Sequence, residues 1–215
     1  AYTVSIRLVE LPHPLSKVEV MKALVRHRYG TPAALAVEEV ETPTPGDDQV
    51  LIRVAAASVN PLDWHVLTGT PWMMRMMSGL RRPKEAILGR DVAGTVVAVG
   101  AKVAAFAPGD EVFGDADGSF AEFVLGNERN LVRRPEGVGV SAAAAVPIAG
   151  LTALQALRDK GGLRAGQTVL VNGAAGGVGT FAVQLAVAMG AKVTGVCSTS
   201  NVELVLSLGA HEVVD

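Results

Sequence analysis

The chain predicts an α/β protein: a small N-terminal β-barrel followed by an incomplete, parallel, doubly wound sheet. Three observations carry this. The organisation changes near Val140, from short β-like runs split by turn residues to helical patterns alternating with strands. From residue 168 the order is β-α-β-α-β, which implies right-handed crossovers and a parallel sheet. Glycine is abundant (24 residues) while aromatics are only 4%, so small aliphatic side chains must build the core, as parallel sheets do.

Residues 1–20 contain Pro12 and Pro14 and no clean period, and they read as a tail without the apolar run of a signal peptide. Residues 22–28 and 49–59 are rich in Val, Leu, Ile and Ala and are separated by the turn chemistry of Thr42-Pro43-Thr44-Pro45-Gly46-Asp47-Asp48. Further strands are expected at 92–99, 111–113, 118–125 and 130–133; this spacing is that of a small barrel. The second region, 141–215, opens with a helical stretch at 141–160 interrupted by Pro147 and Gly150. A strand at 168–171 lacks any period, as expected for burial on both faces. A helix at 177–189, a strand at 192–197, a helix at 201–208 and a strand at 212–214 complete the series.

The composition excludes several function classes. Nineteen Lys and Arg against 21 Asp and Glu leave a net charge of −2, with no basic excess for nucleic acid or an acidic membrane surface. Cys197 is the single cysteine, so no disulfide and no four-cysteine zinc site can form within one chain, and a reducing cytoplasm is the expected compartment. The uncharged stretch 165–191 is too glycine-rich for a membrane span and reads as strand, turn and helix.

That turn is Val171-Asn172-Gly173-Ala174-Ala175-Gly176-Gly177-Val178-Gly179. Set on the dinucleotide fingerprint G-x-G-x-x-G, its three positions fall on Ala174, Gly176 and Gly179. The first makes a tight turn, the second lets backbone approach a pyrophosphate, and the third lets helix pack on strand. Ala175, Gly177 and Val178 complete a loop whose helix N-terminus offers amides to an anion. Following a strand and opening a helix is the context this pattern requires. At the end of the second strand, where NAD binders carry an acid, the chain has Cys197-Ser198-Thr199-Ser200, and no acidic residue occurs between Thr180 and Val202. The three hydroxyls can donate to a 2′-phosphate, which favours NADP(H), with NAD(H) as the alternative.

Further runs carry a resemblance. These are Ala56-Ala57-Ser58-Val59-Asn60-Pro61-Leu62-Asp63-Trp64, then Gly89-Arg90-Asp91-Val92-Ala93-Gly94-Thr95-Val96, then Pro108-Gly109-Asp110-Glu111-Val112-Phe113-Gly114. Gly118-Ser119-Phe120-Ala121-Glu122, Ala149-Gly150-Leu151-Thr152-Ala153 and Leu208-Gly209-Ala210 continue in order. From Met21 to Asp215 the chain resembles the medium-chain dehydrogenase/reductase superfamily in its zinc-independent, quinone-oxidoreductase-like branch.

The resemblance implies a GroES-like barrel at 21–140, a Rossmann domain from 141, and a small-molecule acceptor held between them. Zinc relatives place ligands where this chain has Asn60 and Arg90-Asp91, so no metal is expected. The resemblance further implies candidate roles. Asn60 either donates its amide to an acceptor carbonyl or caps the helix after Pro61. Asp63 either holds that helix or loop or takes a catalytic part. His65 either relays a proton or is a partly exposed helix residue. Thr152 bonds the cofactor or its own helix, and Asn172 fixes the pyrophosphate loop. The run Trp72-Met73-Met74-Arg75-Met76-Met77 is an adaptable pocket wall or a surface helix; Arg81, Arg82 and Lys84 read as a solvated face.

A Rossmann sheet has six strands, of which three are expected here. The chain is therefore expected to be part of a longer protein, by roughly 100 further residues, and inactive alone. The expected function is hydride transfer from NADP(H) to a quinone, an enone or a small carbonyl compound, with a homodimer for the intact protein. The alternatives are an enoyl-thioester reductase and a non-catalytic, cofactor-binding structural or regulatory protein.

Overall fold

The computed structural model describes residues 3–4 and 20–215, and most of the expected tail lies outside the described residues. The chain divides into two compact units, one extending to Pro147 and the other comprising Ile148–Asp215. The expected boundary at 140/141 falls inside the first unit.

In the first unit the central strand is β4 (Gln49–Ser58). Strand β1 (Thr3–Val4) pairs with its end, so part of the expected tail is strand. β4 also pairs antiparallel with β5 (Asp91–Val99) and with β7 (Phe123–Asn127). β5 carries β6 (Glu111–Asp115), which carries β8 (Leu131–Arg133). Alternation along β4 turns Val50, Ile52 and Val54 into a core with Val92, Val96, Val112, Val124 and Leu131. Gly94 inside β5 is required by close approach, since a Cβ there would lie 2.1 Å from the carbonyl oxygen of Arg53.

Strand β2 (Val20–Arg26) forms a separate two-stranded sheet with β3 (Leu35–Glu41). The expected closed barrel is not formed. The main path ends at β8, and β2 meets the rest through the single bridges Ala23–Ala121 and Val25–Ile87. Its partners there lie in irregular chain, so the ladder does not propagate. For the same reason the strand expected at 118–125 begins only at Phe123. Two helices follow β4: α1 (Pro61–Thr68) and the short α2 (Met74–Ser78). A third, α3 (Val140–Ala144), packs Ala143 and Ala144 against Ala56 and Ala93.

Helix α4 (Pro147–Leu154) starts at the proline that ends the preceding helical stretch, and it widens into a π-helical segment at Gln155–Lys160. Gly150 does not interrupt it. The second unit holds a parallel sheet in the order β11-β10-β9. These strands are β9 (Thr168–Asn172), β10 (Lys192–Val196) and β11 (Glu212–Val214). Helix α5 (Gly177–Ala188) joins β9 to β10, and α6 (Val202–Ser207) joins β10 to β11. Both crossovers run the same way across the sheet, which puts α5 and α6 on one face. Val171, Val183, Ala186, Val193 and Val205 fill that interface. β9 is therefore not buried on both faces as expected: Leu170 on the other side is 63% exposed.

Candidate functional site

In the first unit, the pairing Ala57–Val92 continues to bring Ser58 opposite Asp91. Asp91 is fully buried. Its Oδ2 accepts from the Ser58 hydroxyl at 2.5 Å and from the Asn60 amide at 3.0 Å; the same amide nitrogen donates to Ser58 Oγ at 3.3 Å. Asn60 also caps α1, with its backbone N–H donating to Asp63 Oδ2 at 2.7 Å. The two acceptors lie 2.5 Å from each other on one side of the amide nitrogen, so a single hydrogen of Asn60 serves both. The cap rests on the Asn60 backbone N–H and the Asp63 side chain, and it leaves the other amide hydrogen of Asn60 uncommitted among the described bonds.

Asp63 is buried in the first turn of α1. Burial pushes its carboxyl above the ordinary aspartate range; amide bonds from Asn60 and Gly89 and the charge of Arg90 oppose this, and the charge of Asp91 adds to it. The unfolded chain therefore ionises first, and folding stability falls as pH rises from the ordinary aspartate range through the raised pKa. Asp63→Asn lacks that titration. The urea midpoint of wild type minus that of the variant is expected to decrease between pH 3.5 and 7. A difference that increased would show that the amide bonds outweigh burial.

His65 is exposed near the end of α1, and its Nδ1 lies 2.7 Å from the Thr70 carbonyl oxygen. A carbonyl only accepts, so Nδ1 carries the hydrogen and Nε2 is the open nitrogen. Arg26, 1% exposed at the end of β2, donates to the carbonyls of Val66 in α1 and Glu85, which ties that helix to the sheet. Arg90 pairs with Asp115 through two bonds of 2.7 and 2.6 Å and with Asp117 at 2.8 Å, and Asp115 holds its pKa above the usual value. Among the described residues, no three His, Cys, Asp or Glu side chains gather as a metal-ligand set. Trp72, Met73 and Met76 stand exposed around α2, and Arg81, Arg82 and Lys84 are exposed as expected. An apolar groove of about 270 Å³ lies beside β4, lined by Ala23, Leu24, Val37, Val54, Ala57 and Phe120; Asn60, Asp63 and His65 do not line it.

In the second unit the glycine turn bends back on β10. The amides of Gly173 and Ala174 both donate to the Val196 carbonyl, at 3.0 and 2.9 Å, and that of Gly176 donates to Gly173 at 2.9 Å. Ala174 is fully buried, so its side chain and its amide both serve the fold rather than a ligand. Gly177, Val178 and Gly179 open α5, and their amides have no intrahelical acceptor. A Cβ on Gly179 would lie 2.1 Å from the Gly173 oxygen and 2.8 Å from Ala174 Cα, so only glycine lets helix and turn meet. This donor set and close-packed turn fit the pyrophosphate of a dinucleotide.

Asn172 is exposed at the end of β9. The Thr152 hydroxyl donates to the Ile148 carbonyl at 2.6 Å, a bond within its own helix. Cys197 is half-buried after β10. Ser198, Thr199 and Ser200 are exposed. Ser198 Oγ accepts from the Asn201 amide at 2.9 Å and lies 3.4 Å from Ser200 Oγ, while the Thr199 hydroxyl donates to the Asp215 carboxylate. Sequence reasoning missed Ser58, Asp91 and Asp215 as members of these clusters. The register of neighbouring strands brings them in, which no local pattern reports.

Comparison with known proteins agrees with both halves. A family model described as the alcohol dehydrogenase GroES-like domain matches residues 46–136, and one described as zinc-binding dehydrogenase matches residues 177–215. The chain belongs to the medium-chain dehydrogenase/reductase superfamily. It is 44% identical over 207 residues to a chloroplast envelope quinone oxidoreductase homolog of Arabidopsis thaliana, covering 92% of this chain and 61% of that protein. A trans-enoyl reductase of Aspergillus terreus is 40% identical over 180 residues, covering 79% of this chain and 49% of the relative. A mycobacterial structure complexed with NADPH is 32% identical with a TM-score of 0.78, covering 91% of this chain and 58% of that one. The chain thus spans about 61% of the length of the Arabidopsis relative. Among the described residues no helix is long and apolar enough to cross a membrane.

Proposed function

We propose that this superfamily member acts, in the intact protein, as an NADP(H)-preferring, zinc-independent oxidoreductase on a quinone, an enone or a small carbonyl acceptor. The observation that carries the reading is the turn before α5: unpaired helix-opening amides at Gly177, Val178 and Gly179, above a Gly179 with no room for a side chain. The exposed hydroxyls of Ser198 and Ser200 support a 2′-phosphate. Zinc independence is supported by Asn60 and by the ion-paired Arg90 at the positions where zinc relatives carry ligands.

When bound, the nicotinamide supplies a hydride to the acceptor. The chain's own residues do the rest. The amides of α5 and the dipole of that helix hold the pyrophosphate. Asp91, Ser58 and Asn60 fix the start of α1. His65 delivers the remaining proton: in the protonated ring Nδ1–H stays on Thr70, so Nε2–H is the hydrogen free to leave. The reading carries a homodimer and a cytoplasmic location as further proposals, although the Arabidopsis relative is named for the chloroplast envelope. The relative named a trans-enoyl reductase favours an enoyl thioester as the second acceptor class.

The test is steady-state turnover of the intact protein on quinones, enones, aldehydes and enoyl thioesters, with NADPH and NADH in parallel. NADPH is expected to support turnover of at least one quinone or enone, and His65→Phe to lower kcat by about a hundredfold. Nucleotide binding without NADPH oxidation on any acceptor would favour the non-catalytic alternative instead. An unchanged kcat in the His65 variant would remove that residue from the mechanism.

A further inference from the structure

We propose that Asp215 is a specificity-determining residue for the 2′ position of the nucleotide ribose, and that it restrains the preference for NADP(H). The proposal rests on the reading that the second unit binds a nicotinamide dinucleotide.

The argument starts from strand register. β10 and β11 run parallel with Val196 opposite Val214, and the Cys197 amide donates to the Val214 carbonyl at 3.1 Å. The residues just past both strands therefore share the carboxyl edge of the sheet, which is where nucleotides bind in open parallel sheets. One of them is Asp215. Its carboxylate accepts from the Thr199 hydroxyl. Along the sequence, the loop after β10 has no acid; in the fold, the next strand supplies one to it.

A carboxylate at this edge has two effects on a ribose. It can accept a hydrogen bond from a free 2′-hydroxyl, as the acid of NAD binders does. It also repels a 2′-phosphate, the more so because it occupies Thr199, one of the three hydroxyls expected to hold that phosphate. Ser198 and Ser200 remain as donors, so Asp215 narrows the discrimination without abolishing phosphate binding.

The experiment titrates the full chain with NADP⁺ and with NAD⁺ by calorimetry, for wild type, Asp215→Asn, Asp215→Ser and Thr199→Val. Both Asp215 variants are expected to raise the affinity ratio of NADP⁺ to NAD⁺ by about tenfold. Thr199→Val keeps the charge and is expected to stay within twofold of wild type. Asp215 is exposed, and the two replacements differ in shape, so a folding defect in one leaves the other informative. The proposal is overturned if both nucleotides bind and neither Asp215 variant moves the ratio more than twofold. That result differs from failure of the underlying reading, in which wild type binds neither nucleotide and this proposal goes with it. A wild type favouring NAD⁺ would end the NADP(H) preference alone; a tenfold shift in the variants would still assign Asp215.

Discussion

Gly179→Ala is expected to abolish dinucleotide binding, with at least a hundredfold loss of affinity, and to destabilise the second unit by about 1–3 kcal/mol. The added methyl would lie 2.1 Å from the Gly173 oxygen, 2.8 Å from Ala174 Cα and 2.9 Å from the Ala174 carbonyl carbon. All three are backbone atoms, so no side chain can swing aside. The Ala174 amide is tied to Val196, and Ala174 is fully buried, so the turn cannot retreat into the sheet. Helix α5 must move instead, and its free amides leave the place where they converge on an anion. Gly176→Ala separates fold from ligand. Its Cβ would meet only the Gly173 oxygen at 3.2 Å, on a backbone at φ −77 that alanine adopts freely. That variant is expected to keep the melting temperature within a few degrees while losing nucleotide affinity by tenfold or more. Calorimetric titration with NADP⁺ and thermal unfolding of both variants check the pair. Wild-type affinity in the Gly179 variant would remove the turn from nucleotide binding.

The contrast between these glycines and the rest of the molecule explains what was legible in the sequence. The β9–α5 segment is local: strand, turn and helix are set by residues within about 20 positions of one another, and β11 falls on the expected residues 212–214. Strand β3 was not anticipated. Its run Leu35-Ala36-Val37-Glu38-Glu39-Val40-Glu41 carries three glutamates and stays largely exposed in an outer two-stranded sheet, so its apolar signal is weak. Barrel closure failed for the opposite reason. It depends on whether distant strands extend their ladders, and β2 extends none beyond single bridges. Within the candidate site, Asn60 and Asp63 were visible because the cap of α1 is local. Asp91 was noticed only as a neighbour of Arg90. Its place beside Ser58 depends on the pairing of β4 with β5, which shifts twice, between Leu51 and Ile52 and between Val54 and Ala56. Asp215 is the same lesson in the parallel sheet.

Asp91→Ala is expected to be strongly destabilising, by about 3 kcal/mol. The carboxylate is fully buried, and Ser58 and Asn60 beside it are 3% and 9% exposed. Removing it leaves the Ser58 hydroxyl without its acceptor and the Asn60 amide with only the longer bond to Ser58 Oγ, and a buried donor without a partner costs about 1–3 kcal/mol. A void where the carboxylate stood adds to this. Asp91→Asn should cost less, because one amide oxygen can still face both donors, which already share Oδ2. Asn60→Ala should cost less again, since Asp91 retains the 2.5 Å bond from Ser58. Urea denaturation of the full chain, followed by the fluorescence of Trp64 on α1, reads the order directly. The same order should appear in turnover of the intact protein, because Asp91 reaches α1 through Asn60, and α1 carries His65. If Asp91→Ala unfolds at the wild-type urea concentration, the trio is a surface of convenience and does not set the position of α1. If stability falls in the expected order while turnover does not follow it, His65 is held by Arg26 and Thr70 without help from the cap.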